Sequence, residues 1–164
     1  MEILYGHVYD GARPWLIAAQ SCAELAETRM DLSRALDISA AGMDAQTKRL
    51  RVIAENLANQ DSTGSFPGAT PYQRKTAIFA NVLDQVTGTE KVLVKSIQPD
   101  KSAFPQKYDP SNPAADAKGY VRMPNVNSFV EMMDMREAER SYSANLNVMQ
   151  ASRSMLTRVI DLLK

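Results

Sequence analysis

A heptad repeat runs through residues 31–59, where mostly apolar positions recur at alternating steps of four and three. The repeat consists of Leu32, Leu36, Ser39, Met43, Gln46, Leu50, Ile53 and Leu57. Such spacing predicts an amphipathic helix that packs against another helix. Asp31 is a candidate N-cap. The run Ala58–Gly64 predicts the end of the helix, because Asn and Gly tolerate left-handed backbone.

The same alternation returns in residues 126–163, which contain neither Gly nor Pro. Its members are Tyr142, Leu146, Met149, Arg153, Leu156, Ile160 and Leu163. Ser128 and Glu131 have the spacing of a capping box. This segment predicts a helix of about 55 Å, and residues 31–59 predict one of about 40 Å.

Each predicted helix is apolar on one side only, so each needs a partner. The simplest arrangement is an antiparallel pair within one chain. However, Ser39, Gln46 and Arg153 interrupt the seams, and the longer helix leaves apolar surface uncovered. Such a pair would be more stable inside a larger bundle to which neighbouring chains contribute.

Residues 60–125 hold most of the Pro and Gly and have short strand-like runs at 72–79 and 91–97. Thr87-Gly88 predicts a turn between these runs, and 108–113 is dense in turn formers. Two strands are too few for an independent sheet. The predicted fold is therefore mainly α, with two long terminal helices packed as a coiled-coil-like pair and a small β and loop segment between them.

The composition argues against several classes of function. Lys plus Arg number 19 and Asp plus Glu number 19, which gives no basic excess for a nucleic acid or an acidic membrane. A single cysteine, Cys22, excludes an intramolecular disulfide, and with His7 it forms the one conceivable Cys/His pair. We expect no catalytic site, no cofactor, no metal and no small-molecule substrate.

Residues 1–29 do not resemble the rest of the chain, and we expect an N-terminal extension that is disordered or artefactual. The apolar patch Trp15–Ala19 is too short for a secretory signal, and no basic region precedes it. The predicted organisation is thus an extension at 1–29, an N-terminal helix at 31–59, a middle segment at 60–125 and a C-terminal helix at 126–163.

Several motifs, in this order along the chain, resemble the signatures of flagellar rod, hook and related axial proteins. They are Asn56-Leu57-Ala58-Asn59, Asp61–Gly64, Pro71-Tyr72-Gln73-Arg74, Met123–Asn127, Glu131-Met132 and Arg140–Asn145. The stretch Tyr108–Val121 resembles the central motif of a short proximal rod member of that family. The resemblance covers residues 31–163.

The resemblance implies a structural subunit of the proximal rod in the basal body, which spans the periplasmic space. It implies export through the flagellar type III apparatus without a cleaved signal peptide. It also implies terminal helices that self-associate into a helical drive-shaft. The implied partners are other proximal rod proteins, the export gate and components of the basal-body base.

Candidate subunit-packing residues come from the two seams and the motifs. They are Leu36, Met43, Leu50, Ile53, Asn56, Leu57, Asn59, Tyr142, Asn145, Leu146, Met149, Leu156 and Ile160. Asn56 could bond across an interface or serve the helix end, and Asn145 could fix the helix register. The alternative function is a soluble helical adaptor or chaperone of a type III export system, which would be a compact and stable dimer.

Overall fold

The computed structural model describes the backbone of residues 14–162 and the side chains of residues 31–161. The expectations for His7 and Leu163 lie outside the described residues, as does the side chain of Cys22. The elements are, in chain order, helix α1 (Pro14–Ala58), strands β1 (Lys75–Asp84), β2 (Thr89–Pro99), β3 (Gln106–Tyr108) and β4 (Tyr120–Arg122), and helix α2 (Ser128–Leu162).

The mainly α prediction is wrong, because the chain is about 47% helix and 21% strand and contains two antiparallel sheets of two strands each. The strands are longer than the apolar runs that indicated them. β1 and β2 pair from Lys75↔Pro99 to Asp84↔Thr89, and the pairing shifts register between Ile78 and Phe79. Backbone pairing therefore continues through polar residues that carry no strand signal in the sequence.

Helix α1 begins at Pro14, so Asp31 lies inside the helix and not at its N-cap. Proline favours the first position of a helix, and neither Gly nor Pro follows until Gly42. The helix ends at Ala58, inside the region that the sequence indicates for its end. The left-handed backbone expected at this helix end is absent, since the described residues with positive φ are Gly68, Gly88 and Gly119. Instead, the Asn59 side chain donates to Glu55 O (2.9 Å), a carbonyl of the last turn.

Helix α2 is capped by Asn127, whose Oδ1 accepts the N–H groups of Phe129 (3.0 Å) and Val130 (3.4 Å). The capping box predicted from Ser128 and Glu131 is therefore wrong. Ser128 is already helical, and the Glu131 side chain turns inward and does not reach back to the helix start.

α1 and α2 pack antiparallel. Gly42 lies opposite Asn145, and Asn56 opposite Glu131. The positions of α2 turned most directly to α1 follow a seven-residue step through Glu131, Ala138, Asn145 and Ser152. Most of these side chains are small, which allows the helices to approach closely.

The β1–β2 hairpin folds back along α1, where Lys91 Nζ lies 3.8 Å from the Asp37 carboxylate. At its tip the Asp84 carboxylate accepts from the Val86 N–H (3.0 Å) and from Lys91 Nζ (2.8 Å). Gly88 completes the turn with φ of 64°, which favours glycine. Large apolar side chains stay exposed on the hairpin: Ile78, Phe79, Val82, Leu83, Val86, Val92, Leu93 and Ile97.

Strands β3 and β4 close a compact loop near the end of α1. The rings of Tyr108 and Tyr120 meet edge to face with centroids 5.4 Å apart, and the neighbouring Val121 of β4 is buried. The Asp116 carboxylate accepts the N–H groups of Tyr120 and Lys118, and these bonds hold its pKa below the ordinary value. Within residues 14–162, no helix combines the length and apolar character needed to cross a bilayer.

Candidate functional site

A buried carboxylate marks the point where the three parts of the chain meet. Glu131, on the first turn of α2, has 0% exposure. Its Oε1 accepts from Arg74 Nε at 2.6 Å, and its Oε2 accepts from Asn56 Nδ2 at 3.1 Å. The N-terminus of α2 also favours a negative charge at this position. We call Asn56, Tyr72, Arg74, Asn125 and Glu131 the junction.

Asn56, 1% exposed near the end of α1, binds the backbone at the start of β1. Its Nδ2 donates to Lys75 O (2.8 Å), and its Oδ1 accepts the Lys75 N–H (2.9 Å). The side-chain amide thus takes the place of a neighbouring strand for one residue of β1. The Tyr72 hydroxyl donates to the same Oδ1 at 3.0 Å, so every polar atom of the amide is bonded.

Arg74 gathers three carboxylates around one guanidinium. Besides Glu131, it lies 3.4 Å from Asp134 and 3.6 Å from Asp100. Burial lowers the pKa of Arg74, but the hydrogen bond and charge of Glu131, with Asp100 and Asp134, raise it above the ordinary value. Arg49 on α1 adds a second cation, 3.1 Å from Asp134.

Asn125 joins the segment before α2 to the hairpin base. Its Oδ1 accepts the Arg74 N–H at 2.7 Å, and its Nδ2 donates to Asp100 O at 3.0 Å. The Asp100 carboxyl has a pKa below the ordinary value, first because it accepts the Ser102 N–H and also because Arg74 is near. The junction therefore ties both ends of the hairpin to both helices.

The predicted packing residues of α1 divide by burial. Ile53 and Asn56 are buried inside the chain. The others are partly exposed: Leu36, Met43, Leu50, Leu57 and Asn59. Gln46, a polar member of the same seam, has a buried Oε1 with no hydrogen-bond partner among the described residues. The role of these positions in contacts between subunits stays a prediction.

The predicted packing residues of α2 also divide. Tyr142, Asn145, Met149 and Leu156 are partly buried toward α1. Leu146 and Ile160 are 36% and 42% exposed. They share one flank of the helix with the exposed Arg153, and we call these three residues the outer ridge. Further exposed apolar side chains on α2 are Phe129, Val130, Met132, Met133, Val148 and Met155.

Sequence reasoning named Asn56 but did not name its four junction partners as site residues. The signal was present, since Tyr72, Arg74, Asn125 and Glu131 all belong to the quoted motifs. What the sequence does not give is that the motifs converge on one buried carboxylate. The ionisable groups of the junction satisfy one another, and no cluster of three metal-ligating side chains occurs in the described part of the chain.

Comparison with known proteins gives one consistent result. The family described as the C-terminal part of the flagellar basal body rod FlgEFG proteins matches residues 117–162. The chain is 53% identical to the flagellar basal-body rod protein FlgC of Agrobacterium fabrum over 133 residues, which cover 81% of this chain and 96% of the relative.

The FlgC proteins of Salmonella typhimurium and Aquifex aeolicus are each 41% identical to this chain. The alignments cover 81% and 80% of this chain, and 98% and 97% of the relatives. These names confirm the proximal rod member expected from the motifs and give no support to an export chaperone. The chain belongs to the FlgC family of flagellar basal-body rod proteins.

Proposed function

We propose that this chain is a structural subunit of the proximal rod of the bacterial flagellar basal body, and that it assembles with its neighbours through α1 and α2. The observation that carries the proposal is the outer ridge of α2. The outer ridge leaves the large apolar side chains of Leu146 and Ile160 exposed. The chain that carries it is related to FlgC over about four-fifths of its length.

The heptads of α2 supply three neighbouring rows of residues. The row Ala138, Asn145 and Ser152 faces α1 and consists of small or polar side chains. Next to it lies the partly buried row Tyr142, Met149 and Leu156. The outer ridge follows on the far side of that row and exposes Leu146 and Ile160 to solvent. A helix with a second apolar row beside its packed row suits contact with a further helix.

The hairpin provides a second surface of the same kind. The exposed fractions are 46% for Val82, 58% for Leu83 and 51% for Ile97, and Val86 at the tip is 94% exposed. Successive strand residues such as Val82 and Leu83 point to opposite faces, so both faces of the hairpin carry exposed apolar side chains that suit contact with neighbours. In the proposed rod, the outer ridge and the hairpin both contact neighbouring subunits.

The finer parts of the proposal follow from family membership. The partners are other proximal rod proteins, the export gate and the basal-body base. The chain reaches the periplasmic space through the flagellar export apparatus without a cleaved signal peptide. We expect the protein recovered from basal bodies to begin near Met30, and N-terminal sequencing tests this, since a start at Met1 contradicts it.

The role of the outer ridge is tested with Leu146→Asp and Ile160→Asp in a strain that lacks the chromosomal gene. Because Leu146 and Ile160 are 36% and 42% exposed, each variant loses part of a buried side chain and should lower the free energy of unfolding of the monomer by about 1–2 kcal/mol, which urea unfolding measures. A charge buried between subunits is costly, so both variants should be lost from purified basal bodies, and the cells should not swim.

The matched control is Ser154→Asp, which adds the same charge to an exposed position on the side of α2 turned away from α1. Its incorporation and motility should stay normal. Normal incorporation of both outer-ridge variants would contradict the proposal. We also expect Leu156→Asp to be excluded from the rod, and here the monomer should be destabilised more than in the outer-ridge variants, because Leu156 is more deeply buried.

A further inference from the structure

The β1–β2 hairpin has two strands and is not expected to be stable on its own. Isolated two-stranded hairpins are at best marginal in water. Both of its strands lie along α1, where Ala77, Ala80 and Val94 are partly buried and Lys91 lies 3.8 Å from Asp37, but its large apolar side chains remain mostly exposed. The directional hydrogen bonds that hold it to both helices lie at its base.

The base is held by a side chain whose orientation depends on α2. Asn56 binds both backbone polar groups of Lys75 only when its Nδ2 points to Lys75 O and its Oδ1 to the Lys75 N–H. The same Nδ2 donates to Glu131, which is an acceptor when ionised. A flipped amide would place Oδ1 against that carboxylate, so Glu131 favours the one orientation that holds the hairpin.

Glu131 in turn depends on the hairpin base. Its second oxygen is bonded by Arg74, the residue immediately before β1. A fully buried carboxylate is stable only with its partners in place. If Arg74 and Asn56 move away, Glu131 must leave its site, and the first turn of α2 must leave with it.

We propose that Glu131 is a coupling residue, through which the first turn of α2 and the base of the hairpin become ordered together. The docking of α2 on α1 then sets the position of the hairpin, and the loss of that docking releases it. Because coupling between two sites is reciprocal, loosening the hairpin must also loosen the first turn of α2. This property belongs to the single chain and does not depend on rod assembly.

Amide hydrogen exchange on the full-length Glu131→Gln variant tests the proposal. Gln keeps the shape of the side chain but removes the charge that Arg74 and Asn56 stabilise. We expect the amides of β1 and of residues 128–135 to exchange about tenfold faster or more, the effect of losing a charge-assisted hydrogen bond. Amides near Gly42 and Asn145 should keep their rates.

Glu137→Gln is the matched control, since Glu137 lies on the same helix and is exposed. Its exchange rates should equal those of the parent chain. Unchanged hairpin rates in Glu131→Gln would overturn the proposal. An equal acceleration in every element would also overturn it, because that result indicates a general loss of stability without local coupling.

A substitution in the hairpin, and not in α2, gives an independent test of the coupling. Gly88 has φ of 64° and no atom within 4 Å of the place where a side chain would begin, so Gly88→Val strains the turn without a clash. Coupling predicts faster exchange at residues 128–135 in this variant, although Gly88 lies at the tip of the hairpin. Acceleration confined to the hairpin would refute the coupling, even if Glu131→Gln fails to fold.

Discussion

The two ends of the α1–α2 pair are held together in different ways. At the junction end, Asn56, Arg74 and Glu131 form directional bonds between charged and amide groups that are buried or nearly so. Beyond Arg49, the fully buried positions are small side chains such as Ser39, Ala45 and Ser152, and larger side chains such as Tyr142 and Met149 are only partly buried beside them. The stability of the first end depends on which polar groups are present, because a buried charge needs its counterpart. The packing of the second end depends on the distance between the helices, because small side chains allow close approach but contribute little buried apolar area.

This difference assigns separate tasks to the two ends. The junction fixes which segments meet and in what register. The other end brings two helices close together while the outer ridge stays uncovered on α2. The contacts at one end are thus satisfied within the single chain, whereas the other end leaves apolar helix surface exposed, where we propose that neighbouring subunits bind.

The largest effect should come from breaking the junction. Arg74→Ala leaves the carboxylate of Glu131 buried without its charge partner, and this should lower the free energy of unfolding by about 3–5 kcal/mol. Urea unfolding followed by circular dichroism measures the change. Arg136→Ala, which removes an exposed arginine from α2, should shift it by less than about 0.5 kcal/mol. Similar losses in the two variants would mean that the junction has no special role.

A smaller effect on stability is expected at the contact between Gly42 of α1 and Asn145 of α2. A Cβ atom at Gly42 would lie 2.8 Å from Asn145 Nδ2. Gly42→Leu should therefore force the helices apart and destabilise the chain by about 1–3 kcal/mol, although Leu is a better helix former than Gly.

Two further variants sharpen this prediction, with thermal unfolding as the measurement. Asn145→Ala removes the obstructing side chain and should restore part of the stability lost in Gly42→Leu. Ala40→Leu places the same side chain at an exposed position of α1 and should be nearly neutral. If Gly42→Leu proves as stable as Ala40→Leu, the close approach does not limit side-chain size at this point.

The smallest effect on stability is expected at the hairpin tip, which belongs to neither end of the helix pair. The hydrogen bond from Lys91, with the N–H groups of Val86 and Thr87, lowers the pKa of Asp84 from 3.8 to about 2. Because the folded pKa lies below the unfolded one, the stabilisation is complete above the unfolded value and is lost as the pH falls through about 2.

An NMR titration of the Asp84 carboxyl measures this pKa directly. Lys91→Met should raise it toward its ordinary value. Lys95→Met, which removes an exposed lysine from the same strand, should leave it low. An unchanged value in Lys91→Met would show that the backbone N–H groups alone lower the pKa of Asp84.

The sequence predicted the two helices, the end of α1 and the turn at Thr87-Gly88, because these follow from local periodicity and turn chemistry. It placed Leu146, Arg153 and Ile160 in the seam of α2, because the heptad spacing was read mainly from large apolar residues. In the structure the row facing α1 contains Ala138, Asn145 and Ser152. Small side chains give no hydrophobic signal, and their importance depends on Gly42 in the other helix.

The mixed fold and the junction could not be predicted for a related reason. The length of β1 and β2 depends on backbone pairing between segments that carry Asn, Asp and Lys, residue types that are depleted in strands. Glu131 at the start of a helix suggests a cap from local spacing, whereas its true partners are 57 and 75 residues away. Contacts of that range are tertiary and leave no mark on neighbouring residues.

The antiparallel pairing of α1 and α2 has a practical consequence for labelling. The first residues of α1 and the last residues of α2 point toward the same end of the pair, whereas residues 109–118, between β3 and β4, lie near its other end. A fluorescent label on the first turns of α1 and one on the last turns of α2 would thus report on one and the same end. A small epitope placed in residues 109–118 would report on the opposite one, so a pair of labels could reveal the orientation of a subunit.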